Sequence, residues 1–129
     1  MPGSWKKNSR SKYGNQKVVY NGIKFDSIGE CDCYKFYELH QRAGVIRNLS
    51  TQPKVYLTDA KILYKPDLLF YENQINQWIY VDYKGRRTTA FQLKRRLWKY
   101  YGPGPLILCN GYGLNIKIIE TIMPVQLGG

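Results

Sequence analysis

The sequence is poor in acidic residues, with only 9 aspartates and glutamates against 20 lysines and arginines. The resulting formal charge of +11 does not help a small domain to fold, because like charges repel one another in the compact state. Such an excess is typical of proteins that bind a polyanion, and nucleic acid is the leading candidate. We therefore expect nucleic acid to be the partner of this protein.

Long apolar runs are absent from the sequence, and so are an amphipathic membrane anchor and a lipidation signal. A membrane-spanning helix needs about 20 consecutive apolar residues, and the polar, basic N-terminus differs from a signal peptide. We therefore expect no membrane partner and a cytoplasmic location. The length of 129 residues predicts one domain at residues 13–129, preceded by a flexible basic arm at residues 1–12.

Cysteine and histidine are scarce, since the chain has only Cys31, Cys33, Cys109 and His40. The odd number of cysteines indicates reduced thiols rather than a disulfide scaffold. Cys31 and Cys33 lie two positions apart on a predicted helix, where their side chains point to opposite sides, so they cannot bind one metal ion together. We interpret the cysteines as small core residues and do not expect a mechanism based on histidine.

Two helices and seven short strands are predicted along the rest of the chain. The pair Asn21-Gly22 between two β-prone runs predicts a hairpin. Ser27 is a good N-cap and Gly44 a good stop, so the first helix is predicted from Ser27 to Ala43. The second helix is predicted over 88–101, and the strands over 17–20, 23–25, 53–57, 66–71, 78–84, 106–109 and 114–119. This order predicts an α/β fold with a mixed central sheet flanked by two main helices.

Two aspartates and a lysine form the most informative pattern in the sequence. If the strands around Asp67 and Asp82 pair as a hairpin, the two carboxylates converge, while Asp82 and Lys84 project from the same strand face. Carboxylate oxygens suit Mg²⁺ or Mn²⁺, and a nearby lysine can orient water or stabilise a phosphate. The alternative is that Asp67 only begins a strand and that the other two residues lie on a solvated face.

Glu30 has two interpretations on the residues alone. It lies three positions after Ser27, so it either completes a capping box at the start of the first helix or serves as a third metal-binding carboxylate. Asp32 is a rival for the second role. At about 100° per residue along a helix, the two acids point well apart, so both cannot bind one metal.

The second predicted helix has a basic face and an apolar arc. We expect the basic face to be solvated and to contact DNA phosphates. Lys94 falls inside the apolar arc, where a lysine is costly unless it reaches solvent or an anion, so we expect it to point toward the metal site and hold the substrate phosphate. The basic face contains Gln92, Arg95, Arg96 and Lys99. The apolar arc contains Ala90, Phe91, Leu93, Leu97, Trp98, Tyr100 and Tyr101. The other predicted DNA-binding residues are Arg86, Arg87, Lys6, Lys7, Arg10 and Lys12.

Several motifs together resemble a known family of proteins. They are Lys12-Tyr13-Gly14-Asn15, Gly22-Ile23-Lys24-Phe25-Asp26-Ser27-x-x-Glu30-x-x-x-Tyr34, Ala43-Gly44-x-Ile46-x-Asn48-Leu49, Gln52-Pro53 and Val81-Asp82-Tyr83-Lys84-Gly85. The chain resembles small phage-encoded proteins that are assigned to the PD-(D/E)XK nuclease superfamily and are similar to phage endonuclease I-type Holliday-junction resolvases. This resemblance extends from residue 12 to the second predicted helix.

The resemblance implies a restriction-endonuclease-like core, dependence on Mg²⁺ (with Mn²⁺ able to substitute) and a homodimer that cuts branched DNA in phage recombination. It implies catalytic roles for Glu30, Asp67, Asp82 and Lys84, with the three carboxylates as metal ligands. The middle acid is often Glu in the wider superfamily, and Asp82 shortens this side chain by one methylene. Two other functions stay open: a nuclease for ordinary duplex or nicked DNA, and a non-catalytic nucleic-acid-binding protein.

Overall fold

The computed structural model describes residues 16–84 and 89–125. The elements are β1 (Val18–Tyr20), β2 (Ile23–Phe25), α1 (Ile28–Arg42), β3 (Ile46–Thr51), β4 (Val55–Leu57), β5 (Ile62–Tyr64), β6 (Leu68–Glu72), β7 (Gln77–Tyr83), α2 (Thr89–Tyr101), β8 (Leu106–Asn110) and β9 (Lys117–Ile122). The predicted arm at residues 1–12 lies outside the described residues. Neither described helix is long and apolar enough to cross a membrane.

The centre of the fold is a five-stranded mixed sheet in the order β3-β6-β7-β8-β9. Neighbouring strands are antiparallel except for β7 and β8, which are parallel. Helix α2 lies in the crossover between these two strands, as a parallel pair requires. The hairpins β1–β2 and β4–β5 form two separate two-stranded sheets. The predicted α/β class, with a mixed sheet and two helices, is therefore confirmed.

The two helices cover opposite faces of the central sheet. Cys109 on β8 belongs to the hydrophobic cluster that contains Cys33 of α1, and their buried thiols form a hydrogen bond of 3.1 Å between the two sulfurs. The preceding residue, Leu108, belongs to the cluster that contains Trp98 of α2. Successive side chains on a strand point to opposite faces, so α1 and α2 pack on different sides. The interpretation of the cysteines as core residues is confirmed.

Helix α1 begins and ends where its capping residues predict. The Ser27 hydroxyl accepts a hydrogen bond of 3.1 Å from the backbone N–H of Glu30, and Gly44 follows the helix with a φ of +80°. A Cβ on Gly29 would overlap the ring of Tyr83. The absence of a side chain at this position lets the first turn of α1 approach β7 closely, and this approach sets the position of Glu30.

Two strands were missed by the sequence-based prediction, and a third was misplaced. Strand β3 contains Asn48 with a φ of +58° and an irregular register between Arg47 and Ser50, so its buried residues do not alternate regularly. Strand β5 has only three residues, and two of them are exposed. The strand predicted over 114–119 is β9 at Lys117–Ile122, because residues 111–116 form the loop that precedes it.

The apolar arc predicted for α2 is too wide. Phe91 and Trp98 are buried, whereas Leu93, Tyr100 and Tyr101 are exposed. The buried pair is seven positions apart, which corresponds to two helical turns along a single stripe. The helix therefore contacts the sheet along a narrow line rather than along a whole face.

Candidate active site

The β6–β7 hairpin brings the two predicted aspartates together. Leu68 pairs with Val81 in the antiparallel register, so the neighbouring Asp67 and Asp82 lie side by side. One carboxylate oxygen of Asp67, Oδ2, accepts a hydrogen bond of 2.7 Å from the backbone N–H of Tyr83. The convergence that was predicted from the hairpin pattern is therefore confirmed.

Asp82 is 2% exposed, and two side chains besides that of Asp67 contact its carboxyl group. The Tyr64 hydroxyl donates a hydrogen bond to its Oδ2 atom, and the Lys84 ammonium lies 3.1 Å from the same oxygen. Burial, followed by the charge of Asp82, raises the pKa of Tyr64, so its hydroxyl stays protonated and can donate. The ammonium of Lys84 also lies 4.5 Å from the ring centre of Phe91. The prediction that Asp82 and Lys84 share a strand face is confirmed.

The electrostatic state of Asp67 reflects its crowded surroundings. Burial raises the pKa of Asp67 well above its ordinary value, and Asp82 raises it further through its charge and through a hydrogen bond between the two carboxyl groups. Glu30 acts in the same direction, while the hydrogen bond from Tyr83 opposes these effects. Two neighbouring carboxylates cannot both ionise easily, so the pair retains a proton more readily than an isolated aspartate.

Asp67→Asn is expected to stabilise the metal-free protein at neutral pH, because the neutral amide removes the like charge beside Asp82 and can be buried without binding a proton. Because the folded pKa of Asp67 is raised, the folded state binds a proton more tightly than the unfolded state. The stabilisation that protonated Asp67 gives the folded state is present below the ordinary pKa of an aspartate. It is lost as the pH rises through the pKa that Asp67 has in the folded state. The advantage of the variant should therefore disappear toward pH 4 and grow toward pH 8.

Urea unfolding in EDTA across this pH range measures the effect, with Asp59→Asn as the control. Asp59 is exposed in the turn between β4 and β5, so its substitution should leave the pH profile unchanged. Parallel pH profiles for Asp67→Asn and the wild type would contradict the raised pKa.

The backbone N–H of Glu30 takes part in the helix cap, and its carboxyl group lies near the two aspartates. Burial raises the pKa of Glu30, and the negative charge of Asp26 raises it further. A hydrogen bond with the backbone of Asp26 lowers the pKa of Glu30. The charge of Asp82 raises this pKa slightly, and the charge of Lys84 lowers it slightly. The two interpretations of Glu30 are therefore compatible with one another. Asp32 instead accepts a hydrogen bond of 2.8 Å from the backbone of Gly113, which agrees with its predicted direction away from Glu30.

Glu30 and Asp67 face an open pocket of about 60 Å³, which has room for a few water molecules. Lys24 and Gln52 also line it, and neither is among the predicted site residues, although both lie in motifs that carry the family resemblance. Gln52 has a φ of +50°, and its backbone N–H donates a hydrogen bond of 2.9 Å to the carbonyl of Asp67. The complete lining is Lys24, Phe25, Glu30, Thr51, Gln52, Asp67 and Leu68.

The described residues contain no group of three or more histidine, cysteine, aspartate or glutamate side chains arranged to hold a metal ion. Mg²⁺ usually takes only one or two protein carboxylates and completes its coordination with water and substrate phosphates. The adjacent carboxyl groups of Asp67 and Asp82 fit this mode of binding. A divalent cation would also offset the repulsion between the two carboxylates, which adds to the effect of burial on the pKa of Asp67. This is a further reason why the donor set suits a metal.

The predicted basic face of α2 is only partly solvated. Arg96 and Lys99 are exposed as expected. Arg95 is instead partly buried and forms a two-bond ion pair with Glu120 on β9, in which its Nε atom lies 3.2 Å from the carboxylate. Its prediction as a freely solvated residue is therefore wrong, because α2 packs close enough to β9 for the two charges to meet.

Lys94 lies within the buried stripe of α2, but its ammonium does not reach the carboxylates directly. It donates a hydrogen bond of 3.2 Å to the carbonyl of Leu63 and lies 5.4 Å from the ring centre of Tyr64. Lys94 is thus linked to Asp82 through the side chain of Tyr64, and its contact with phosphate stays a prediction. Outside the described residues lie Lys6, Lys7, Arg10, Lys12, Arg86 and Arg87.

His40 takes no part in this site. One nitrogen of its ring is 2.8 Å from the carbonyl of Phe36, and the ring packs against Phe36 and Tyr37. His40 therefore packs against other aromatic side chains of α1.

Residues 10–103 match the family DUF1064, which is described as a protein of unknown function. The matched segment includes Glu30, Asp67, Asp82 and Lys84 and covers well over half of the chain. The sequence has no match among curated proteins. On this match, the chain belongs to the DUF1064 family.

Proposed function

We propose that the protein is a metal-dependent DNA endonuclease of the PD-(D/E)XK type, selective for branched DNA such as Holliday junctions. The observation that carries this proposal is the meeting of Asp67, Asp82 and Lys84 beside a pocket that Asp67 and Glu30 line. In a chain with a formal charge of +11, acids placed where phosphate approaches would weaken DNA binding. A bound cation reverses that effect by supplying the largest local charge.

The residues divide into metal-binding and charge-stabilising groups. Asp67 and Asp82 would hold Mg²⁺, with Glu30 beside them at the pocket. When bound, the ion would polarise the scissile phosphodiester and lower the pKa of a bound water. Lys84, held by the Asp82 carboxylate and the Phe91 ring, orients the attacking water and stabilises charge on the phosphate. Lys24 lines the same pocket and supplies a second cation for the DNA backbone.

The architecture is compatible with a restriction-endonuclease-like core. Asp67 and Asp82 lie on the antiparallel β6–β7 hairpin. Helix α2 then leads to β8, which runs parallel to β7. We further propose a homodimer, which would present two active sites to the two strands of a branched substrate during phage recombination. The exposed Arg96 and Lys99 on α2 would bind backbone phosphates.

With Mg²⁺, the protein is expected to cut a four-way junction at least about tenfold faster than linear duplex of the same sequence, a preference of about 1.4 kcal/mol. A nicked duplex of the same sequence serves as the intermediate substrate. EDTA should abolish the cutting of every substrate, and Mn²⁺ should restore it, because phosphodiester hydrolysis at this site depends on the bound metal. Gel analysis of end-labelled strands measures the rates.

Three other outcomes would separate the alternatives. Equal cutting of all three substrates would identify a nuclease for ordinary duplex or nicked DNA. Binding to the three substrates without cutting in either metal would identify a non-catalytic nucleic-acid-binding protein. Cutting that persists in EDTA would contradict the assignment of Asp67 and Asp82 as metal ligands.

A further inference from the structure

Tyr64 reaches the candidate site from a sheet that is separate from the central one. It is the last residue of β5, in the β4–β5 hairpin, and it is 7% exposed. Its ring packs edge-on against Trp98 of α2, with 5.8 Å between ring centres. Its hydroxyl donates to Oδ2 of Asp82. A side chain from outside the hairpin that carries the acids therefore contacts the buried carboxylate directly.

Two of the side chains that contact the Asp82 carboxyl group, other than Asp67, act on one of its two oxygens. The Tyr64 hydroxyl and the Lys84 ammonium both contact Oδ2, so neither of these groups holds Oδ1. The terminal torsion of an aspartate is broad and roughly twofold, and two partners on the same oxygen select one orientation of the carboxylate. The hydroxyl thus fixes which oxygen of Asp82 is left for other ligands.

We propose that Tyr64 is a positioning residue that orients the Asp82 carboxylate, so that Oδ1 is available to the metal while Oδ2 is kept for Lys84. This inference rests on the proposed function and adds a residue from β5 to it. Partners of this kind orient metal ligands, and their loss typically lowers metal affinity or activity by about 10- to 100-fold. Tyr64 acts on the metal site through Asp82.

The chain offers a matched control for removal of the Tyr64 hydroxyl. Tyr80 also packs edge-on against Trp98, with 5.1 Å between ring centres, and it belongs to the same layer between the sheet and α2. The structure gives its hydroxyl no hydrogen bond to another described residue. Tyr64→Phe and Tyr80→Phe each remove one hydroxyl and keep a ring against Trp98, but only the first removes a partner of Asp82.

Calorimetric titration of Mn²⁺ into the DNA-free protein tests the inference. Tyr64→Phe is expected to weaken Mn²⁺ binding by about tenfold or more, whereas Tyr80→Phe should stay within about twofold of the wild type. Single-turnover cleavage should fall for Tyr64→Phe, while its affinity for DNA in EDTA stays unchanged. Circular dichroism at the assay temperature verifies that both variants are folded.

The outcomes for Tyr64 and for the proposed function are distinguishable. If Tyr64→Phe binds Mn²⁺ and cuts as the wild type does, the positioning role is overturned and the nuclease proposal stands. If both variants lose Mn²⁺ affinity equally, the effect belongs to packing against Trp98, which also overturns the positioning role. A wild-type protein that neither binds Mn²⁺ nor cuts DNA would overturn the proposed function and, with it, the role of Tyr64.

Discussion

Replacing Asp82 by Asn is expected to lower DNA cleavage by about 10²- to 10³-fold or more, the range for loss of one essential electrostatic group. The asparagine has the same size and can still accept the hydrogen bond that Tyr64 donates. It has no negative charge, so it is a much weaker ligand for Mg²⁺ and no longer forms the ion pair with Lys84. The variant should therefore fold but lose the reaction.

DNA binding by the Asp82→Asn variant should be unchanged or tighter, because the substitution removes a negative charge that repels phosphate. Single-turnover cleavage in Mg²⁺ and fluorescence anisotropy in EDTA measure the two effects separately. Asp59→Asn changes an exposed acid in the β4–β5 turn and should cut and bind like the wild type. Wild-type cleavage by Asp82→Asn would place the active site elsewhere.

Trp98→Ala is expected to lower the free energy of unfolding by about 3–5 kcal/mol, the usual cost of truncating a large buried aromatic residue. Trp98 is fully buried, and its indole N–H donates a hydrogen bond of 2.8 Å to the carbonyl of Gly104. Its ring contacts Tyr64 and Tyr80. Because small domains are stable by only about 5–15 kcal/mol, this loss would leave a substantial unfolded population at elevated temperature.

Urea unfolding of Trp98→Ala measures this loss, and Tyr100→Ala on the same helix is the matched control. Tyr100 is 64% exposed, so its truncation should change the free energy of unfolding by no more than about 0.5 kcal/mol. Similar values for the two variants would show that α2 does not pack through Trp98. At temperatures where Trp98→Ala is folded, its Mn²⁺ affinity should also fall, since Tyr64 loses a supporting ring.

The part of the site that could be predicted from the sequence depends on short-range geometry. Asp82 and Lys84 share a strand face because strand side chains repeat every two residues. Asp67 meets Asp82 because the segment between them turns back on itself as a hairpin. Tyr64 could not be found in this way, since its contact with Asp82 depends on how the separate β4–β5 sheet packs against the central sheet and α2.

The sequence by itself determined the caps of α1, the β6–β7 hairpin, the α/β class and the excess of positive charge, because each depends on neighbouring residues or on composition. The tertiary structure alone decided that Arg95 pairs with Glu120, that α2 buries a narrow stripe, and that irregular or very short segments such as β3 and β5 are strands. These features depend on partners from distant parts of the chain, and packing overrides the local preference of a short segment. Tyr64 beside Asp82 is the same kind of contact, made between elements that only the folded chain brings together.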